Sequence, residues 1–189
     1  MFIQTEPTPN PETLKFLPGR EISPDQPRDF ASAEEAQDSY LPRELFAVEG
    51  VTRVFAGADF VAVTKAEDVE WMQLRPAVLG AIMDALNDGR PLFADAAGDS
   101  GDGHAAYEGE AAGIVNEIKE IIDTRVRPAV AQDGGDIVFQ AYDEESGVVS
   151  LHMRGACSGC PSSTATLKYG IENLLKHYVP EVTAVEAVV

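Results

Sequence analysis

The chain of 189 residues has little cysteine, little basic character and no long apolar stretch. Its two cysteines, Cys157 and Cys160, are too few for a disulfide framework. Their closeness points instead to metal or redox chemistry. Fourteen Lys and Arg stand against 32 Asp and Glu, a formal net charge of −18. A chain this acidic repels phosphate backbones and anionic membrane surfaces, which argues against nucleic acid or a membrane as partner. No apolar run approaches the roughly 18–20 residues that span a bilayer. The opening residues, Met1-Phe2-Ile3-Gln4-Thr5-Glu6, form neither a secretory signal nor an Arg-rich transit peptide. The expectation is a cytoplasmic protein, with the mature form of a mitochondrial-matrix protein as the alternative.

The segment Ala94 to Ala112 carries five acids and no base, is rich in glycine and alanine, and has Tyr107 as its one aromatic residue. Such a composition buries too little apolar area to offset the entropy of ordering it. The expected organisation is therefore two small α+β domains, over residues 1–92 and 113–189, joined by a flexible acidic linker over 93–112. No repeat relates the two.

In the first domain, Pro7, Pro9, Pro11 and Pro18 predict an extended loop over Thr5 to Asn10. Thr13 to Leu17 reads as a strand closed by Pro18-Gly19. Ser32 and Glu35 have capping-box spacing, which predicts a short helix. Val51 to Ala56 and Phe60 to Thr64 read as a hairpin about Gly57-Ala58-Asp59. Leu74 to Asp88 reads as a helix, with Pro76 near its start, Gly89 past its end, and Leu79, Ile82, Met83 and Leu86 on one face. No cluster of polar groups suggests chemistry here.

The second domain reads as α-β-β-α-β, a three-stranded sheet covered on one face by two helices. Ile114, Ile118, Ile121, Ile122 and Val126 mark a helix expected to stop near Pro128. Asp133-Gly134-Gly135-Asp136 is a turn, its glycines read as permitting positive φ. Ile137 to Ala141 and Val148 to Met153 are strands, Thr164 to Tyr178 a second helix, and Val182 to Val189 a last strand.

Cys157-Ser158-Gly159-Cys160-Pro161 falls between a strand and a helix start. Two intervening residues let both thiolates reach one ion or cluster, and Pro161 suits the first helical position. Amide N–H groups of Ser162, Ser163 and Thr164 are then expected to favour thiolates and lower their pKa. A thioredoxin-like dithiol expects an aromatic or Pro-containing dipeptide between the cysteines and a larger fold. A structural zinc needs four ligands, and the remaining candidates are His104 in the linker, His152 on a strand and His177 in a last helical turn. His152 reads as a solvated strand residue, and His177 as surface or helix-dipole compensation. An iron–sulfur cluster takes four thiolates. Two chains about a twofold axis supply four, with one cluster between them, an arrangement that suits a carrier.

Several motifs in order bear a wider resemblance. They are Met1-Phe2-Ile3-Gln4-Thr5, Thr8-Pro9-Asn10-Pro11, Leu14 to Gly19, Ile82-Met83-Asp84, Asp123 to Pro128, Gln132 to Asp136, and Gly155 to Ser163 with Thr166-Leu167-Lys168 and Gly170-Ile171-Glu172. Together they make the chain similar to the Nfu/NifU-like iron–sulfur scaffold proteins in their two-domain form. The resemblance implies a non-enzymatic scaffold or carrier. It would hold a [4Fe-4S] cluster, with [2Fe-2S] or aerobically acquired zinc as alternatives, on Cys157 and Cys160. The cluster would bridge a homodimer, come from an upstream scaffold and pass to recipient apo-proteins. The alternative reading is a thiol–disulfide oxidoreductase using Cys157 and Cys160.

Overall fold

A computed structural model describes residues 2–94, 107, 109–158 and 161–188, the side chains of 161–163 excepted. The chain divides into two compact units, Met1–Asp99 and Ser100–Val189. Most of the expected linker, residues 95–106 and 108, lies outside the described residues.

The first unit is a five-stranded antiparallel sheet in the order β1-β2-β5-β4-β3. Its strands are β1 (Gln4–Pro7), β2 (Thr13–Leu17), β3 (Arg28–Phe30), β4 (Val51–Ala56) and β5 (Val61–Lys65). Helices α1 (Tyr40–Phe46) and α2 (Trp71–Asp88) belong to the same unit. Phe16, Val54, Val61 and Val63 share one core with Leu41, Leu45, Leu74, Val78 and Ile82. The expected strand at Thr13 and the hairpin are present, and Gly89 ends α2 with a φ of 79°.

Four details differ from expectation. Part of the loop expected over Thr5 to Asn10 is the edge strand β1, because an edge strand tolerates Pro7, whose missing N–H is not needed for pairing. The other edge, β3, is three residues long, too short for alternation to show; the Asp29 carboxylate accepts from Arg53 Nε at 3.0 Å there, and Phe30 stacks on Phe93. Ser32 and Glu35 do make capping-type bonds, with the Ala31 N–H donating to the Glu35 carboxylate at 2.8 Å and the Glu35 N–H to Ser32 Oγ at 3.4 Å. They close turns rather than a helix, since only Ala36 among residues 31–38 is buried and no apolar stripe follows. Helix α2 starts at Trp71 and runs through Pro76. The carbonyl that Pro76 leaves unbonded belongs to Met72, which is exposed, so water can satisfy it.

The second unit has the expected α-β-β-α-β order. Helix α3 (Glu110–Ile121) passes through a π turn, Ile122–Val126, into α4 (Arg127–Gln132). Strands β6 (Gly135–Asp143) and β7 (Val148–Gly155) pair antiparallel, and β8 (Ala184–Val188) joins β7 in parallel after α5 (Pro161–Tyr178). The expected stop near Pro128 does not occur. A proline in a continuous α-helix collides with the carbonyl four residues earlier; the wider π turn just before Pro128 relieves that contact, and helical structure continues to Gln132. The apolar stripe continues with it, so that Val115, Ile118, Ile122, Val126 and Val130 are all buried against Ile137, Leu151, Met153, Ile171 and Leu175.

Helical structure begins at Glu110, and Ala111 is buried. Tyr107 packs edge-on against Phe139, and its hydroxyl accepts the Tyr142 N–H at 2.7 Å. Because β6 is an edge strand, that hydroxyl caps a backbone donor with no strand beside it. A fragment over residues 107–189 is expected to fold alone. Tyr107→Phe in it should cost about 0.5–1.5 kcal/mol by urea unfolding. A fragment starting at Gly113, which also loses the Tyr107 ring and the buried Ala111, should be less stable still. Equal stability of all three would show that this contact contributes nothing.

Candidate metal centre

Strand β7 ends at Gly155, whose φ of 62° turns the chain sharply into the cysteine loop. The register pairs Gly135 with Gly155 and Asp136 with Arg154, so the Asp133 to Asp136 turn lies directly beside the loop. The Ala156 N–H donates to the Gly134 carbonyl at 3.1 Å. Ser158 donates to the Gly155 carbonyl twice, from its N–H at 3.1 Å and its hydroxyl at 3.0 Å. From α5, the Thr164 hydroxyl donates to the Cys157 carbonyl at 3.2 Å. The loop is thus tied to the turn on one side and to the helix on the other.

Cys157 carries a free thiol at 6 % exposure and belongs to the core of this unit. Cys160, the second sequence-predicted ligand, lies outside the described residues. Pro161 begins α5, as its missing N–H allows.

The expectation of a lowered thiol pKa is overturned for Cys157. Burial pushes the thiol up to about 12, and the negative charges of Asp133 and Asp136 push the same way. Loss of solvation acts directly on a buried thiolate, whereas stabilisation by a helix start is small. The shift favours the protonated thiol, and any metal bound at Cys157 would displace that proton.

Asp136 is buried and paired bidentately with Arg127, with Nε to Oδ1 at 2.8 Å and Nη2 to Oδ2 at 3.1 Å. Arg127 also reaches Asp123 at 3.1 Å, and these carboxylates raise its pKa. Sequence reasoning missed this pair; its only trace was an arginine nine residues ahead of an aspartate beside glycines. Of the glycines, Gly134 has the expected positive φ of 80°, but Gly135 is not among the positive-φ residues. A Cβ on Gly135 would fall 2.3 Å from Cys157 Sγ.

Among the described residues, no histidine joins a metal group. His152 lies half-buried on β7 between the buried Leu151 and Met153, as alternation predicted. His177 is exposed at the end of α5, edge-on to Tyr178 at 5.0 Å. His104 lies outside the described residues. Among the described residues, no three His, Cys, Asp or Glu side chains converge as a metal site. None of the described helices is long and apolar enough to cross a membrane.

Comparison with known proteins matches two family models in order: "Scaffold protein Nfu/NifU N terminal" over residues 3–89 and "NifU-like domain" over 118–186. The chain is 48 % identical over 186 residues to NifU-like protein 5, mitochondrial, of Arabidopsis thaliana, covering 98 % of this chain and 67 % of that protein. The chain belongs to the Nfu/NifU-like scaffold family. It is also 49 % identical to the Arabidopsis NifU-like protein 4, mitochondrial, over 98 % of this chain and 65 % of that one. The NFU1 iron-sulfur cluster scaffold homolog, mitochondrial, of Drosophila ananassae is 48 % identical over 100 % of this chain and 64 % of its own length. The chain thus spans about two thirds of the length of the curated relatives it matches. The cysteine loop falls inside the NifU-like match.

Two measurements test the site's electrostatics. Asp136→Asn leaves a partly buried guanidinium without its bidentate partner and should cost about 2–4 kcal/mol in urea unfolding, discounted for the exposure of Arg127. A change below the error of the measurement would mean that the pair is replaced at no cost by water. The thiol supplies a pH signature in the Cys160→Ala chain. Below its ordinary value of 9.0 both folded and unfolded chains hold the Cys157 proton; above it the unfolded chain releases the proton while the folded chain keeps it up to about 12. Stability should therefore fall as pH rises through that window, by more than in the same chain also carrying Cys157→Ala. Parallel pH profiles of the two would show that the thiol is not held protonated.

Proposed function

We propose that this protein is an iron–sulfur cluster carrier that accepts a cluster on Cys157 and Cys160, shares it with a second copy of itself, and releases it to apo-proteins. The observation that carries the reading is the ligand count. The chain has two cysteines, no convergent third ligand occurs among the described residues, and a [4Fe-4S] or [2Fe-2S] cluster is held by four thiolates. Two copies complete the set without further residues, and with only two bonds from each copy the cluster leaves more readily than from a four-cysteine pocket. The family, and the scaffold named among its relatives, support this role and a non-catalytic one.

Cys157 suits cargo rather than catalysis of disulfide exchange. A nucleophilic thiol is a thiolate near neutral pH, and here burial and two carboxylates hold the proton on. This weighs against the oxidoreductase reading. Iron binding supplies what deprotonation costs, so uptake is coupled to proton release and is favoured by rising pH.

Two chains of −18 each approach one another around an anionic cluster. Arg154 and Lys168, both half-buried, are the cations nearest in sequence to the motif. Salt screens the long-range repulsion beyond about 8–10 Å, so the loaded dimer should weaken at low salt. The mitochondrial relatives favour the mitochondrial matrix over the cytoplasm as the working compartment.

Anaerobic reconstitution with iron and sulfide, followed by iron analysis and sedimentation at two salt concentrations, tests the reading. The expected result is a brown dimer that returns to monomer on cluster loss. Cys157→Ala or Cys160→Ala should abolish the cluster, and His152→Ala should leave it. A loaded monomer with four irons would overturn the bridging arrangement, a zinc-filled colourless dimer would replace the cargo, and fast disulfide turnover would revive the oxidoreductase.

A further inference from the structure

Gly135 is the first residue of β6, and its backbone conformation does not require glycine. Its φ is not in the left-handed region, unlike those of Gly134 and Gly155 beside it. A glycine at the start of a strand weakens the strand and often marks close approach of another group. Here the approach is explicit. A Cβ on Gly135 would lie 2.3 Å from Cys157 Sγ, and 3.0 Å from both the Arg154 carbonyl oxygen and the Cys157 nitrogen. Gly80, Gly113 and Gly170, by contrast, have no such neighbour within 4 Å. The sulfur rests on a bare α-carbon, at 6 % exposure, with its loop held in place by the Ala156 to Gly134 hydrogen bond.

We propose that Gly135 is a positioning residue for Cys157: it provides the seat that stows this sulfur in the cluster-free protein, and cluster uptake draws the sulfur off it. The stowing follows from packing alone; its part in uptake rests on the carrier reading above. A methyl group at residue 135 would occupy the seat and turn the Cys157 sulfur outward. The seat also shields the empty protein, since a stowed thiol meets oxidants and alkylating agents only when the loop opens.

The experiment uses the full-length reduced chain under anaerobic conditions, with iodoacetamide as probe and the modified cysteine located by mass spectrometry. Gly135→Ala should raise the alkylation rate of Cys157 by about tenfold or more while that of Cys160 changes by less than about twofold. It should also lower the thermal midpoint, and Cys157→Ala in the same chain should restore most of that loss, because the sulfur is the group displaced. On reconstitution, Gly135→Ala should take up iron faster than the parent chain. Unchanged alkylation of Cys157 overturns the seat. So does a thermal loss that Cys157→Ala does not relieve, which would mean that the glycine serves the Arg154 carbonyl and the Cys157 amide instead. If Gly135→Ala does not fold, the paired variant still decides, since rescue by Cys157→Ala supports the seat and its absence removes it. Faster alkylation with an unchanged rate of iron uptake overturns the role in loading. Faster alkylation with no cluster in either chain leaves the seat standing and removes the carrier reading.

Discussion

The register of β6 on β7 is the constraint on which the rest of the site depends. Pairing Gly135 with Gly155 sets a positive-φ turn at one strand's start beside a positive-φ turn at the other's end. The cysteine loop then has nowhere to go except across the glycine turn, where Ala156 bonds to the Gly134 carbonyl and the Cys157 sulfur meets the Gly135 α-carbon. A slip of β6 by one residue would turn Ile137 and Phe139 out of the core, so the hydrophobic face that folds the unit also enforces the site geometry.

Around this register the charges oppose one another. Arg127 and Asp136 form a buried-edge pair that joins the helical layer to the strand carrying the glycine turn. The same carboxylate, with Asp133, keeps a nearby thiol protonated. A group that stabilises the fold therefore disfavours the thiolate form of Cys157. With its proton kept on, the buried thiol is not burdened with an unpaired charge.

The helical layer reaches Asp136 through a local deformation. The π turn before Pro128 lets the helix pass a proline and continue to Gln132, burying Val126 and Val130 on the way. Arg127, next to that proline, gains both of its carboxylate partners there, Asp123 one turn earlier and Asp136 on the strand. Pro76 in α2 is accommodated differently, by exposure of the residue whose carbonyl it leaves unbonded, so the two prolines are met by a π turn and by solvent respectively.

The sequence by itself determined the α+β class, the α-β-β-α-β order of the second unit and the cysteine pair. These are written in local signals: apolar periodicity, glycine and proline punctuation, and a two-residue spacing between thiols. It also carried the family motifs. Local signals failed where a distant group decided. Pro128 read as a stop because the helix beyond it is held by tertiary burial, and Ser32 with Glu35 read as a helix start because no local rule reports that the following residues have nothing to bury. Only the tertiary structure decided that Cys157 is buried beside two carboxylates, that Asp136 belongs to Arg127, and that a Cβ on Gly135 would meet a sulfur 22 positions away in the chain. Burial, charge pairing and close approach are properties of space, and the strand register that creates them joins residues that are not neighbours in the chain.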